Sequence, residues 1–152
     1  MVTSEKGIAI IRRFEGLELE AYDDGGGVLT IGFGHTGSDV YLGLKIDEEE
    51  AIRLLKFDLL VAEECVDESV EVQIGQCEFD ALVSFVYNVG CKAFKSSTLL
   101  RLLNAGNKEA ARAQFFRWNK DNGRVLAGLT NRRAAEAHLF GEGRENEKFS
   151  YG

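Results

Sequence analysis

Between Phe14 and Gly37 the chain reads FEGLELEAYDDGGGVLTIGFGHTG. The stretch holds a glutamate, a pair of aspartates, three consecutive glycines, then a threonine and a histidine. Cutting a glycosidic bond needs a proton donor on the leaving oxygen and a carboxylate on the other side; in inverting enzymes that carboxylate activates a water. Glu15 is a candidate donor, because the neighbouring Phe14 gives it an apolar setting that favours the protonated acid. Asp23 or Asp24, in a wet glycine-rich turn, is a candidate second carboxylate, and the Thr30 hydroxyl could hold the water. Each residue also has a plainer explanation. A glutamate before glycine at a helix end is commonly a surface residue, and an aspartate in a DG turn is commonly a turn former. Two other chemistries lack support. GGG has neither the Lys-Ser/Thr pair nor the strand-to-helix context of a phosphate loop, and no GxSxG nucleophile motif is present.

These groups need elements to hold them. Ser4 or Thr3 can cap a helix over 4–15, with Ile8, Ile11 and Phe14 at helical spacing, Ile10 widening the stripe and Gly16 as the stop. Glu15 then falls in its last turn. A strand at 20–22, a reversal at DDGGG and a return strand at 28–33 make a small sheet of two or three strands within 19–46. Gly32 and Gly34 inside it point to a bend or to a closely packed backbone. Asp47 with Glu50 opens a long helix whose inner face carries Ile52, Leu55 and Leu59 and which could bridge two lobes. Phe79, Leu82, Val83, Val86 and Tyr87 mark a further helix ended by Gly90. A short helix at 99–103 follows, then one from Lys108 to Asn119, then one capped by Thr130 and running through Phe140. The pattern predicts an α+β fold, mainly α: a small β-hairpin lobe joined by a long helix to a helical C-terminal lobe.

Composition narrows the partners. At 152 residues and 45% apolar the chain is long enough for one core-bearing domain. A net charge of −7 argues against non-specific binding to nucleic acid or to anionic membranes. The basic residues Arg112, Arg117, Lys120, Arg124, Arg132 and Arg133 lie late in the chain and could face an anionic substrate. No apolar run is long enough for a membrane span, so stable insertion is not expected. The N-terminal residues lack the order of a secretory signal peptide. Two histidines, His35 and His138, and no CxxC give no zinc pattern, and no metal or cofactor is expected. Cys65, Cys77 and Cys91 read as reduced, buried thiols, with a Cys65–Cys77 bridge in an oxidising space as the alternative.

Glu15, eight residues, Asp24, five residues, Thr30 reproduces an E-x8-D-x5-T pattern, and EGL, AY and TIGFGHTG flank it. In this the chain resembles the phage-type lysozymes, the glycoside hydrolase family 24 endolysins, on their short lambdoid-phage side. FDALVSFVYNVG at 79–90, STLLRLLN at 97–104, Trp118 and GLTNRRAAE at 128–136 extend the resemblance over roughly residues 4–140. It implies one lysozyme-like domain over 1–141, with a β-lobe at about 16–46, a helical lobe at about 66–140 plus helix 4–15, and a flexible tail at 142–152. It implies a muramidase cutting the β-1,4 bond between N-acetylmuramic acid and N-acetylglucosamine in peptidoglycan. Glu15 would be the general acid, and Asp24 with Thr30 would hold the water. Thr36, Tyr87, Asn88 and Arg117 would meet substrate, His35 would be structural, and Trp118 would belong to the core rather than form a sugar platform. The expected setting is a monomer in the host cytoplasm that reaches the cell wall through a holin-type pore. A lytic transglycosylase and a non-catalytic wall-binding module are the competing readings; Asp24 and Thr30 speak for water and hence for hydrolysis.

Overall fold

The computed structural model describes residues 1–150, with side chains as far as Glu142. The chain divides into two units, Ile11–Leu60 and Met1–Ile10 with Val61–Gly152. Helices α1 (Glu5–Glu15) and α2 (Glu48–Ser69) each begin in one unit and end in the other. The fold is α+β and dominated by helix, with a small β-sheet. No helix among the described residues is long and apolar enough to cross a membrane.

In the Ile11–Leu60 unit, β1 (Glu18–Asp23), β2 (Leu29–Gly32) and β3 (His35–Thr36) form an antiparallel sheet in the order β1-β2-β3. Tyr22 pairs with Thr30, Ile31 with His35, and the β1–β2 register is irregular between Glu18 and Tyr22. On β1 only Ala21 is buried, whereas Thr30, Ile31 and Gly32 of β2 are all buried, as a central strand requires. The core is small: Ala21, Ile31, Val40 and Leu54, with Leu29, Leu44 and Ile46 packed on it. Gly32 has φ +67°, and a Cβ there would lie 3.5 Å from the Ala51 side chain. The bend and the close neighbour expected at this glycine are both present. At the start of α2, Asp47 Oδ1 accepts the Glu50 N–H at 2.8 Å, the cap legible in the sequence.

The other unit is built on α3 (Gln76–Val89), whose residues from Glu78 to Val86 are all buried. Around it come α4 (Cys91–Lys95), α5 (Thr98–Asn104), α6 (Lys108–Gln114) with a 3-10 turn (Phe115–Arg117), and α7 (Ala127–Ser150). Phe85 is the hub. Phe115 and Trp118 meet it edge-on with ring centres 5.3 Å away, Phe94 does so at 6.2 Å, and the Arg133 guanidinium lies 5.0 Å over its ring. Each such aromatic pair adds about 0.5–1.5 kcal/mol beyond the area it buries. The start of α1 is tied to this core: Asp80, fully buried, accepts the Ser4 N–H at 3.0 Å and the Ser4 hydroxyl. Gly7 packs so close to Asp80 that a Cβ would come within 2.9 Å of its side chain.

Several expectations are corrected here. The helix expected over 108–119 breaks after Gln114, because Phe115 tightens the chain and carries Trp118 onto Phe85. The last helix starts at Ala127, three residues before Thr130, whose N–H already bonds the Leu126 carbonyl at 3.0 Å. Lys120–Asp121 (β4) and Arg124–Val125 (β5) pair as a small hairpin that the helical pattern concealed. Cys65 and Cys91 form a disulfide, with Cα atoms 6.0 Å apart, and only Cys77 is free. The end of α2 and the start of α4 meet in space, and spacing along the chain carries no trace of that. The expected flexible tail at 142–152 lies, beyond the first of its residues, outside the described side chains.

Candidate active site

Glu15 is the last residue of α1 and is half-buried; Gly16 follows at φ +73°, and its N–H closes the helix on the Arg12 carbonyl at 3.1 Å. The left-handed residue turns the chain straight from the helix into β1. Arg12, one turn back, contacts Glu48 at the head of α2 and lies 5.3 Å over the Phe33 ring. The helix end that carries Glu15 is thereby pinned to its own unit.

The DDGGG reversal is a pair of interleaved aspartate turns. Asp23 Oδ1 accepts the N–H groups of Gly25 at 2.8 Å and Gly27 at 3.0 Å. Asp24 Oδ1 accepts that of Gly26 at 2.8 Å and, more weakly, that of Val28 at 3.4 Å. Both aspartates are exposed, and in each it is Oδ1 that takes the backbone amides. The turn-forming and the chemical explanations of Asp24 are therefore compatible: one oxygen shapes the loop and fixes where the other points. Thr30 sits on the return strand and is buried, and its hydroxyl donates to the Val28 carbonyl at 3.3 Å. That is long for an O–H···O bond, so the hydroxyl is only loosely committed.

His35 on β3 is buried between two carboxylates, Nδ1 against Asp58 of α2 at 2.8 Å and Nε2 against Asp39 at 3.0 Å. Burial pushes its pKa down and is the largest single influence, but the two aspartates together outweigh it and leave the imidazole above its ordinary value. The hydrogen bond from His35 in turn lowers Asp39. The ring clasps β3 to α2 and to the loop after it. Thr36 is exposed opposite Thr30 in the register. Glu15, Asp24, Thr30, His35 and Thr36 thus all belong to one unit.

Tyr87, Asn88, Arg117 and Trp118 belong to the other. Tyr87 is half-buried near the end of α3. Asn88 is exposed, and its Oδ1 accepts from Arg133 Nη2 at 2.8 Å. Arg117 is exposed at the end of the 3-10 turn, and Trp118 is half-buried on Phe85.

The residues the sequence misassigned are Arg132 and Arg133. Read as part of a basic face, they are buried, 3% and 0% exposed, around an equally buried Glu136. Arg132 Nε donates to Glu136 Oε2 at 3.2 Å, and its Nη2 to the Ser84 carbonyl at 3.0 Å. The Ser84 hydroxyl donates to the same Glu136 oxygen. Arg133 Nε stands 2.8 Å from Glu136 Oε1 as an ion pair too bent for a hydrogen bond. Burial presses against charge at both ends, raising the pKa of Glu136 and lowering that of Arg133, while their mutual attraction opposes both shifts. The signal was present in the RRAAE run: arginines three and four residues before a glutamate, set among alanines, put three charges on one helix face that packs inward.

A family model described as phage lysozyme matches residues 12–136. The chain is 48% identical over 142 residues to an endolysin of Bacillus phage B103, a match covering 92% of this chain and 54% of that protein. It therefore spans about half the length of that relative. A solved structure of a P22 lysozyme variant superposes with a TM-score of 0.86 at 40% identity, covering 92% of this chain and 98% of that one. The muramidase domain of SpmX from Asticaccaulis excentricus superposes with a TM-score of 0.85 at 40% identity, covering 90% and 95%.

Proposed function

The chain belongs to the phage lysozyme family, and on that premise we propose that it is an endolysin muramidase. It hydrolyses the β-1,4 bond between N-acetylmuramic acid and N-acetylglucosamine in bacterial peptidoglycan, in host cell lysis. The observation that carries this reading is the E-x8-D-x5-T set, placed on one helix end and one hairpin of a single unit. Glu15 protonates the leaving oxygen. Asp24, with Oδ1 held by the turn, presents Oδ2 to a water, and the loosely bonded Thr30 hydroxyl helps to hold it. His35 keeps the sheet that carries Thr30 against α2, and Thr36, Tyr87, Asn88 and Arg117 contact the polymer. The enzyme acts as a monomer and reaches the wall from the host cytoplasm through a holin-type pore.

The test is a digest of purified peptidoglycan by the wild type and by Glu15→Gln, with product ends read by mass spectrometry. Reducing muramic ends that vanish in the variant, a loss of roughly a thousandfold or more, are the expected outcome. Anhydro ends would make the enzyme a transglycosylase and leave Asp24 without its role. Near-normal lysis by Glu15→Gln would remove Glu15 from the mechanism.

A further inference from the structure

The DDGGG reversal holds two aspartates, and the proposed chemistry uses only one of them. Asp23 is the last residue of β1 and pairs with Leu29, while Tyr22 before it pairs with Thr30. Successive residues of a strand point to opposite faces, so Asp23 projects away from the face that carries Thr30. It is badly placed to share a water with that hydroxyl, and its carboxylate has another occupation. Asp23 Oδ1 accepts the N–H groups of Gly25 at 2.8 Å and Gly27 at 3.0 Å, and Asp24 Oδ1 accepts those of Gly26 and Val28. The amides from Gly25 to Val28 thus alternate between two carboxylate oxygens.

That alternation needs a particular backbone. Gly25 and Gly27 stand at φ +97° and +83°, in the left-handed region, and Gly26 between them does not. A change of hand from residue to residue turns successive amides onto an anion, and glycine takes the left-handed positions without strain. The same glycines have the most conformational freedom to lose. Packing does not hold them: all three are exposed, and a Cβ on Gly25 or Gly27 would meet nothing within 4 Å. Hydrogen bonds must do so. The Asp24 N–H closes the loop on the Val28 carbonyl at 3.2 Å. The side-chain bonds of Asp24 go to amides inside the loop, so they orient it only as well as the loop is ordered. Asp23 is rooted in the sheet and reaches two of those residues from outside the run.

We propose that Asp23 is a positioning residue: its carboxylate orders the glycine run, and the ordered run aims Asp24 Oδ2 at the water. The assignment rests on the muramidase reading and deepens it, because it gives the neighbouring aspartates separate tasks.

The test compares Asp23→Ala with Asp23→Asn. Asparagine keeps an Oδ1 acceptor for the same two amides and removes the charge, whereas alanine removes both. On soluble peptidoglycan strands kcat should fall roughly tenfold in Asp23→Ala, with KM within about twofold of the wild type. Asp23→Asn should recover most of the loss. The unfolding midpoint should move little in either variant, because the loop is exposed. Amide exchange followed by NMR should quicken at Gly25 and Gly27 in Asp23→Ala and not in Asp23→Asn. A wild-type kcat in Asp23→Ala, or a rise in KM alone, would overturn the role. So would an Asp23→Asn as slow as Asp23→Ala, which would make the charge the working part. Glycine amides that exchange alike in all the proteins would overturn it independently of turnover. A wild type that cleaves no strand removes the muramidase reading, and the positioning role with it; a cleaving wild type with an unaffected Asp23→Ala removes the positioning role alone.

Discussion

The two units of this chain use charge in opposite ways. In the Ile11–Leu60 unit the proposed reacting carboxylates stand at the edges of the structure, on a helix end and in a glycine turn, over a core of only a few aliphatic side chains. In the other unit the strongest charge cluster, Arg132, Arg133 and Glu136, is sealed against Ser84 and Phe85 and has no solvent to work on. Exposed carboxylates on backbone amides are available for chemistry but hold little of the fold together. Buried ones fix the packing of α7 on α3 and are costly to disturb. The difference separates residues whose loss should stop turnover from residues whose loss should unfold the protein.

The largest effect should follow from Glu136→Ala. It leaves two arginines buried without their carboxylate, and a destabilisation of about 3–5 kcal/mol is expected. Denaturant unfolding measures it, and a change below about 1 kcal/mol would mean that the cluster is not the keystone drawn here. Reducing the Cys65–Cys91 disulfide, which closes a loop of sequence separation 26, should cost about 3 kcal/mol in the same unit. A thiol titration should count one reactive group before reduction and three after. Three at the outset would show that the bridge does not form.

Asp24→Ala sharpens the contrast from the other side. It should lower lytic activity roughly a hundredfold while the unfolding midpoint moves little, because only an exposed turn loses its bonds. Full activity in Asp24→Ala, with loss in Asp23→Ala, would hand the second carboxylate to Asp23.

The smallest effect is a pH dependence. The folded pKa of His35 lies above its unfolded value of about 6.5. Its contribution to stability is therefore complete below that value and is lost as pH rises through the folded pKa. Asp39 works in the reverse sense: its contribution is lost as pH falls through its lowered folded pKa, below about 3.8. Asp58 and Asp39 face the ring, and Arg53 lies near Asp39 and reinforces its lowering. The β-bearing unit should be firmest between those limits, and His35→Gln should flatten the fall between pH 6 and pH 9. Parallel melting curves for wild type and variant across that range would dismiss the clasp.

Much of the backbone structure around the candidate site was legible because it is local. The Glu15 helix end, the DDGGG reversal, the Thr30 strand and the Asp47 cap are each written within a few consecutive residues, and their hydrogen bonds span two to four positions. Backbone sterics and short-range bonding decide such features before any packing occurs. The helical unit was legible as helices, but not in its joints. The break at Phe115 depends on an aromatic hub assembled from three separate segments, and the short β4–β5 hairpin is too small to register against helical spacing.

The sequence by itself determined the α+β class, the approximate place of the longer helices, and the order of Glu15, Asp24 and Thr30 along one helix-hairpin run. Only the tertiary structure decided that Arg132 and Arg133 are interior, that Cys65 takes Cys91 rather than Cys77, and that Asn88 has its amide aimed by Arg133. The physical reason is distance along the chain. Burial of a charge, pairing of a thiol and aiming of an amide depend on partners 26 to 52 residues away. Hydrophobic packing chooses those partners, and no local propensity encodes them.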